Sequence, residues 1–313
     1  MKIKALAPWY AASRTLAPLI CQEIGRPRLF WNEFAGSLAV TLAMKPCQSE
    51  TVNDLHGNVI NLARVIQRED TAVKMFDRVQ RTMMHEDLFN DAAARFRERG
   101  NVPASDEPDF ERAYDYLISS WLGRNGVAGT SSYNQGFCVR YTANGGHAAK
   151  RFRSVAESIP AWYDRLRNVT CLNRNARDTI PRIDDHESTV IYLDPPYVEK
   201  GASYVHDFAP ASATAKGKSK DANGTPLMTH PELRELLGRF KKARIIVSYY
   251  DHPIVRELYA GWTLVRPRVT KSLVNQGMGE KGGDVQLAPE ILLINGPSIT
   301  QGLWCEVAKG DAA

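Results

Sequence analysis

The chain has 313 residues, of which 43% are hydrophobic and 24% charged, with a formal net charge of +5. That length and balance suit a globular protein with a sizeable core, either one large domain or a core with an insertion. No apolar run is long enough for a membrane span, Met1 to Pro8 lacks the apolar stretch of a secretory signal, and five scattered cysteines without zinc-ligand spacing fit reduced thiols in a cytoplasm.

In chain order, Pro8-Trp9-Tyr10-Ala11-Ala12-Ser13-Arg14 leads into a helix over 13–24, with Leu16, Leu19, Ile20 and Ile24 at helical spacing. Gly25 and Pro27 stop it. Leu29 to Glu33 reads as a strand and Leu38 to Met44 as a helix. The turn between them, Glu33-Phe34-Ala35-Gly36-Ser37, carries a glycine that lets backbone amides approach a nucleotide-like ligand, although a plain βα turn has the same appearance. A strand over 50–54 follows, ending in Asn53-Asp54, and then an amphipathic helix to Gln67. An acid at that spacing is positioned to hold ribose hydroxyls in a doubly wound fold, or to cap the helix.

From about residue 68 to 165 the pattern changes to polar-rich helices over 70–83, 86–99 and 110–122. A Gly- and Asn-rich region and a strand-like 137–141 then suggest a hairpin-like tip. Residues 101–122 hold five acids against one base, whereas 123–182 hold ten bases against three acids. A solvated face and a phosphate-contacting surface both have that bias. Strands are expected again at 168–172, 189–193, 243–249, 262–269 and 290–295, with helices over 231–240 and 253–259. Such alternation implies a parallel sheet. Ala209 to Gly224 reads as a surface loop.

The most informative residues are Asp194-Pro195-Pro196-Tyr197, at the end of the apolar run Thr189 to Leu193. A buried strand delivers the carboxylate to its carboxyl end, where open α/β sheets build their sites. The prolines forbid helix and sheet and fix a stiff turn. The Asp194 side chain and the Pro195 carbonyl can accept two N–H bonds of a planar amine, with the Tyr197 ring over its face. A packed strand end with a Pro-Pro turn is the alternative. Asp184-Asp185-His186-Glu187 reads as an exposed turn, since consecutive residues cannot easily converge on one ion.

The order of these segments, from Pro8 through Glu33-Phe34-Ala35-Gly36-Ser37, Asn53-Asp54-Leu55-His56 and Asp194-Pro195-Pro196-Tyr197 to Pro289–Asn295, resembles the Dam-type adenine-N6 DNA methyltransferases. The resemblance implies a doubly wound, Rossmann-like α/β methyltransferase sheet with a mainly helical inserted target-recognition domain. Residues 1–67 and 166–300 would be catalytic, 68–165 the insertion and 301–313 a tail. It implies S-adenosylmethionine as cofactor, held by Trp9, Tyr10, Ser13, Glu33, Phe34, Ala35, Gly36, Ser37, Asp54 and Asp178. Catalysis would fall to Asp194, Pro195, Pro196 and Tyr197, with no metal. Double-stranded DNA would meet Arg124, Tyr133, Asn134, Arg140, Lys150, Arg151 and Arg153, and a restriction endonuclease is a candidate partner.

One segment departs from the family. Its aromatic-x-Gly-Gly-Lys is replaced here by Ala11-Ala12-Ser13, which removes two permissive glycines and a cation, with Arg14 the nearest replacement charge. The departure motivates an alternative, a DNA-binding protein of the same fold with weak or no transfer activity or a variant donor. Methylation of another amine, on RNA, cytosine or glutamine, is a further alternative. Asp at the first motif position favours adenine.

Overall fold

The computed structural model describes residues 3–9, 13–123, 136–139, 147–198, 205–210, 220, 224–267, 290–300 and 305–307, with 13, 14 and 305–307 in backbone only. Five strands run parallel: β1 (Leu29–Glu33), β2 (Ser49–Asn53), β3 (Val169–Leu172), β4 (Thr189–Leu193) and β5 (Arg244–Tyr250). β7 (Glu290–Ile294) is antiparallel to both β5 and β6 (Thr263–Val265), and β8 (Cys305–Val307) is antiparallel to β6. The sheet order is β3-β2-β1-β4-β5-β7-β6-β8. This α/β sheet fits the methyltransferase fold that the resemblance implies.

Alternation along the strands divides the core. Phe30, Val190, Tyr192, Ile246 and Leu292 point to one face, onto Leu16, Ile20 and Ile24 of α1 (Ser13–Ile24) and Val40 of α2 (Ala39–Ala43). Ile191, Leu193, Ile245, Val247 and Leu293 point to the other, onto Leu233 and Leu237 of α10 (His230–Leu237) and Val255 of α11 (Pro253–Leu258). Every residue of β4 and β7 is buried, as their continuous apolar runs require.

Val52 of β2 and the apolar side of α3 (Gly57–Gln67) belong to a third cluster. That cluster extends into α4 (Glu69–Arg81), α5 (Glu86–Arg99), α6 (Phe110–Leu122), α7 (Ala148–Ala156) and α8 (Ile159–Leu166) through Met75, Phe89, Trp121, Phe152 and Trp162. Asp115 of α6, buried, is held by Arg95 at 2.8 Å and Arg99 at 2.5 Å, so its charge is paired on both sides. The helices begin where side chains accept their orphan amides: His85 for α5, Asp109 for α6 and His147 for α7.

Three expectations need correction. Phe137 makes an isolated bridge to Gly123 and starts no strand within 136–139, because only one bridging pair forms there. The strand expected over 262–269 is limited to Thr263–Val265 up to residue 267, with Arg266 turned to the ion pair described below. The segment read as a tail supplies β8, which covers the outer edge of β6. Among the described residues no helix is long and apolar enough to cross a membrane.

Candidate active site

The strand order reverses between β1 and β4: β2 and β3 lie to one side, β5 and β7 to the other. Such a switch point opens a crevice at the carboxyl ends of the strands. Glu33 ends β1 opposite Leu193 of β4, and the Asp194 amide donates to the Glu33 carbonyl at 3.4 Å. The expected cofactor turn and the Asp-Pro-Pro-Tyr turn therefore leave the sheet side by side.

The turn after β1 is tightly bent. Phe34, Gly36 and Leu38 have φ of 55°, 51° and 59°, all left-handed, and two of them carry side chains that disfavour it. Backbone contacts hold this shape: the Ala35 amide donates to Asn53 O at 3.0 Å, and the Leu6 amide donates to Ser37 O at 3.0 Å. A Cβ added to Gly36 would lie 3.0 Å from Trp9 Nε1, so the Trp9 ring closes over the glycine. Trp9 also stands edge-on to His56, 5.3 Å between centroids.

Asp54 is the hub of this corner. Its Oδ2 accepts from the Gly36 amide at 2.7 Å and its Oδ1 from the His56 amide at 2.7 Å. Burial raises its pKa, against the pull of those two amides. The cap of α3 is His56, whose Nδ1 accepts from Val59 N at 3.4 Å; Asp54 is therefore not the cap. Burial holds the His56 imidazole down at about 3, so it is neutral.

Glu33 is fully buried. Its Oε2 accepts from Asn53 Nδ2 at 2.7 Å, and among the described residues its Oε1 has no hydrogen-bond partner. Burial pushes this carboxyl up to about 7. Asn53 ties it to the end of β3, donating to Arg174 O at 3.0 Å while its Oδ1 accepts from Arg174 N at 3.0 Å.

On the other side of the switch point, Tyr197 donates to Asp194 Oδ1 at 2.9 Å and stands 3.4 Å from Ser248 Oγ of β5. Pro195 and Pro196 are buried. The Tyr197 ring, expected as an open stacking face, is itself buried and lies 4.4 Å from the Tyr250 ring. Beyond Tyr250, Asp251 pairs with Arg256 and Arg266, which hold its carboxyl down at about 2.

A strap over 205–210 crosses this region. Phe208 is wedged between Phe34, at 5.6 Å, and His230, at 5.0 Å, and the Ala209 amide donates to Met228 O at 2.8 Å. His230 meets the Tyr249 hydroxyl at 3.0 Å. His206 meets Asn101 through Nε2.

The structure thus brings together Trp9, Glu33, Phe34, Ala35, Gly36, Ser37 and Asp54 beside Asp194 and Tyr197. Asp178 is exposed in α9 (Ala176–Thr179), beside Thr179, whose hydroxyl accepts from Asn53 Nδ2 at 3.3 Å; the cap of that helix is Asn175, which accepts from Arg177 N at 3.0 Å. Lys150 and Arg153 project from α7 into solvent, whereas Arg151 donates to Trp121 O at 3.2 Å and lies 5.8 Å from the Trp121 ring. Tyr10, Arg124, Tyr133, Asn134 and Arg140 lie outside the described residues, as does the Ser13 side chain. Asn101, Asn173, His206 and Ser248 escape a sequence reading, whereas His56 enters it only as the last residue of Asn53-Asp54-Leu55-His56.

Compared with models of protein families, residues 14–273 match the D12 class N6 adenine-specific DNA methyltransferases. No curated protein matches the sequence.

Proposed function

The chain belongs to the D12 class N6 adenine-specific DNA methyltransferases, and on that premise we propose that it transfers a methyl group from S-adenosylmethionine to an adenine flipped out of duplex DNA at a particular sequence. The observation that carries this reading is Asp194 at the switch point, one strand from Glu33 and steadied by Tyr197. S-adenosylmethionine, when bound, supplies an electrophilic methyl group. The residues suit such a cationic, ribose-bearing donor: Glu33 keeps a buried carboxyl oxygen with no hydrogen-bond partner among the described residues, Asp54 offers a carboxylate, and Gly36 leaves a cradle that a Cβ would fill.

Adenine N6 is a weak nucleophile because its lone pair is delocalised into the ring. Asp194 and the Pro195 carbonyl would accept its two N–H bonds and favour a pyramidal nitrogen. Orientation and electrostatics are what this chain contributes. Tyr197 fixes Asp194 in the arrangement described here; stacking on a flipped base requires its ring to part from Tyr250. In this reading residues 1–67 and 166–300 form the catalytic part and 68–165 recognise the target, with Lys150 and Arg153 on phosphates. The cytoplasm is then the place of action, and a restriction endonuclease reading the same sequence is a candidate partner.

Incubation with methyl-labelled donor and mixed duplex DNA, followed by digestion to nucleosides, tests the reading. Label is expected in N6-methyladenine. Label in cytosine, RNA or protein, or none at all, overturns it. Ala11-Ala12-Ser13 favours a second reading, a weakened enzyme of the same fold. Replacing it with Gly-Gly-Lys would then tighten donor binding and raise turnover, and equal affinity would dismiss that reading.

A further inference from the structure

The helical block reaches the Asp54 corner directly. Its α5–α6 connection, residues 100–109, lies across the first turn of α3. A Cβ on Gly57 would stand 2.0 Å from Val102 O, so the connection rests on the helix backbone itself. Arg112 of α6 donates to the Val102 and Pro103 carbonyls and to Asn58 Oδ1, fixing the path of the connection. Asn173 joins the two parts: its Nδ2 donates to Asp54 O at 2.6 Å and its Oδ1 accepts from Ala104 N at 2.8 Å.

Asn101 completes the junction. Its Oδ1 accepts from Asn58 Nδ2 at 3.1 Å, which leaves its amide nitrogen to face His206 Nε2. An amide nitrogen only donates, so this His206 nitrogen is the acceptor in the pair. His206 stands edge-on to His56 at 6.4 Å, within electrostatic reach of the Asp54 carboxyl. The same strap holds Phe208 against Phe34 of the cofactor turn.

We propose that Asn101 and His206 are positioning residues of the donor site, a bridge that locks the helical block and the post-motif strap onto the Asp54 corner. Donor affinity is thereby set in part from the helical block. The inference rests on Asp54 holding the donor, as proposed above.

Calorimetric titration of S-adenosylmethionine into the full chain tests it, using Asn101→Ala, His206→Ala, the double variant and His206→Gln. Each alanine variant should bind about fivefold more weakly, the scale of one net hydrogen bond. The double variant should be no weaker than either single one, because the same bridge is lost each way. His206→Gln presents an acceptor oxygen and should recover most of the affinity. At saturating donor, kcat should stay within about twofold of the parent, since the loss is in binding. Unchanged affinity in Asn101→Ala, or additive losses without rescue by glutamine, would overturn the bridge alone. Failure of the parent chain to bind the donor would overturn the Asp54 reading, and this inference with it.

Discussion

Tyr197 donates its phenolic hydrogen to Asp194 Oδ1 across 2.9 Å, so the last residue of the Asp-Pro-Pro-Tyr turn holds the first. The pair separates two contributions that one substitution would confound. Asp194→Ala should lower methyl transfer by about two orders of magnitude, the scale of losing a preorganised electrostatic partner. Donor and DNA binding should change far less, because the acceptor matters most in the transition state. Tyr197→Phe keeps the buried ring and removes only the hydroxyl; it should cost about 1 kcal/mol of stability and less than about tenfold in rate. Single-turnover kinetics and thermal unfolding measure both. Asp194→Ala turning over near the parent rate while folded would sink the mechanism.

Gly36 combines a left-handed φ of 51° with a Trp9 ring 3.0 Å from where a Cβ would stand. Gly36→Ala should therefore weaken donor binding through both strain and displacement of Trp9, with a stability loss of about 1–2 kcal/mol. Adding Trp9→Ala relieves the contact but not the backbone strain. Calorimetry on the single and double variants should show partial recovery at most.

Glu33 gives stability a pH dependence of definite sign. Its carboxyl is raised from 4.5 to about 7 by burial, so the folded state holds a proton that the unfolded state has released. Between those values the folded chain binds more protons, and stability contributed by this group falls as pH rises. Burial moves Asp207 in the same direction, to about 6. Glu33→Gln keeps a neutral acceptor and should gain on the parent by up to about 3 kcal/mol in going from pH 5 to pH 8. Chemical denaturation at the two pH values checks this; an equal difference at both would mean Glu33 ionises normally.

The basic stretch divides by what each guanidinium or ammonium touches. Lys150 and Arg153 are exposed, and replacing both by Ala should lower the salt slope of DNA binding by about two. Arg151 is engaged with the Trp121 carbonyl and ring, so Arg151→Ala should lower the melting temperature more than the slope. Binding isotherms at several salt concentrations, beside thermal unfolding, separate the two.

Much of the sheet is readable because its signals are local. Thr189 to Leu193 is apolar without interruption, and β4 is buried at every position. Helices α5 and α6 begin and end where composition and caps put them. Glu33, Gly36 and Asp54 are placed by the same local signals: Glu33 ends β1, Asp54 directly follows β2, and Gly36 lies in the turn between β1 and α2. Asn101, Asn173 and His206 leave no such trace. Their contacts cross 105 positions from Asn101 to His206 and 119 from Asn173 to Asp54, and a polar side chain in a loop looks the same whichever partner it finds. Asp178 shows how a cap is misplaced by sequence: the acid sits one turn past Asn175, the residue that caps the helix. Tyr197 is legible as a member of its motif; that its ring lies against Tyr250 depends on β5, which no spacing within the motif reports.

The third core cluster runs without a break from Val52 and α3 into Met75, Phe89, Trp121 and Trp162. A helical block joined in this way is not a cassette. Exchanging residues 68–165 for those of a relative would cut through side chains packed against α3 and remove the Val102 carbonyl that rests on Gly57. Grafts that carry α3 and the Asn173 turn along with the block keep that seam intact. If 68–165 recognises the target as proposed, its specificity is more readily altered by single side chains on its surface than by transplanting the whole unit.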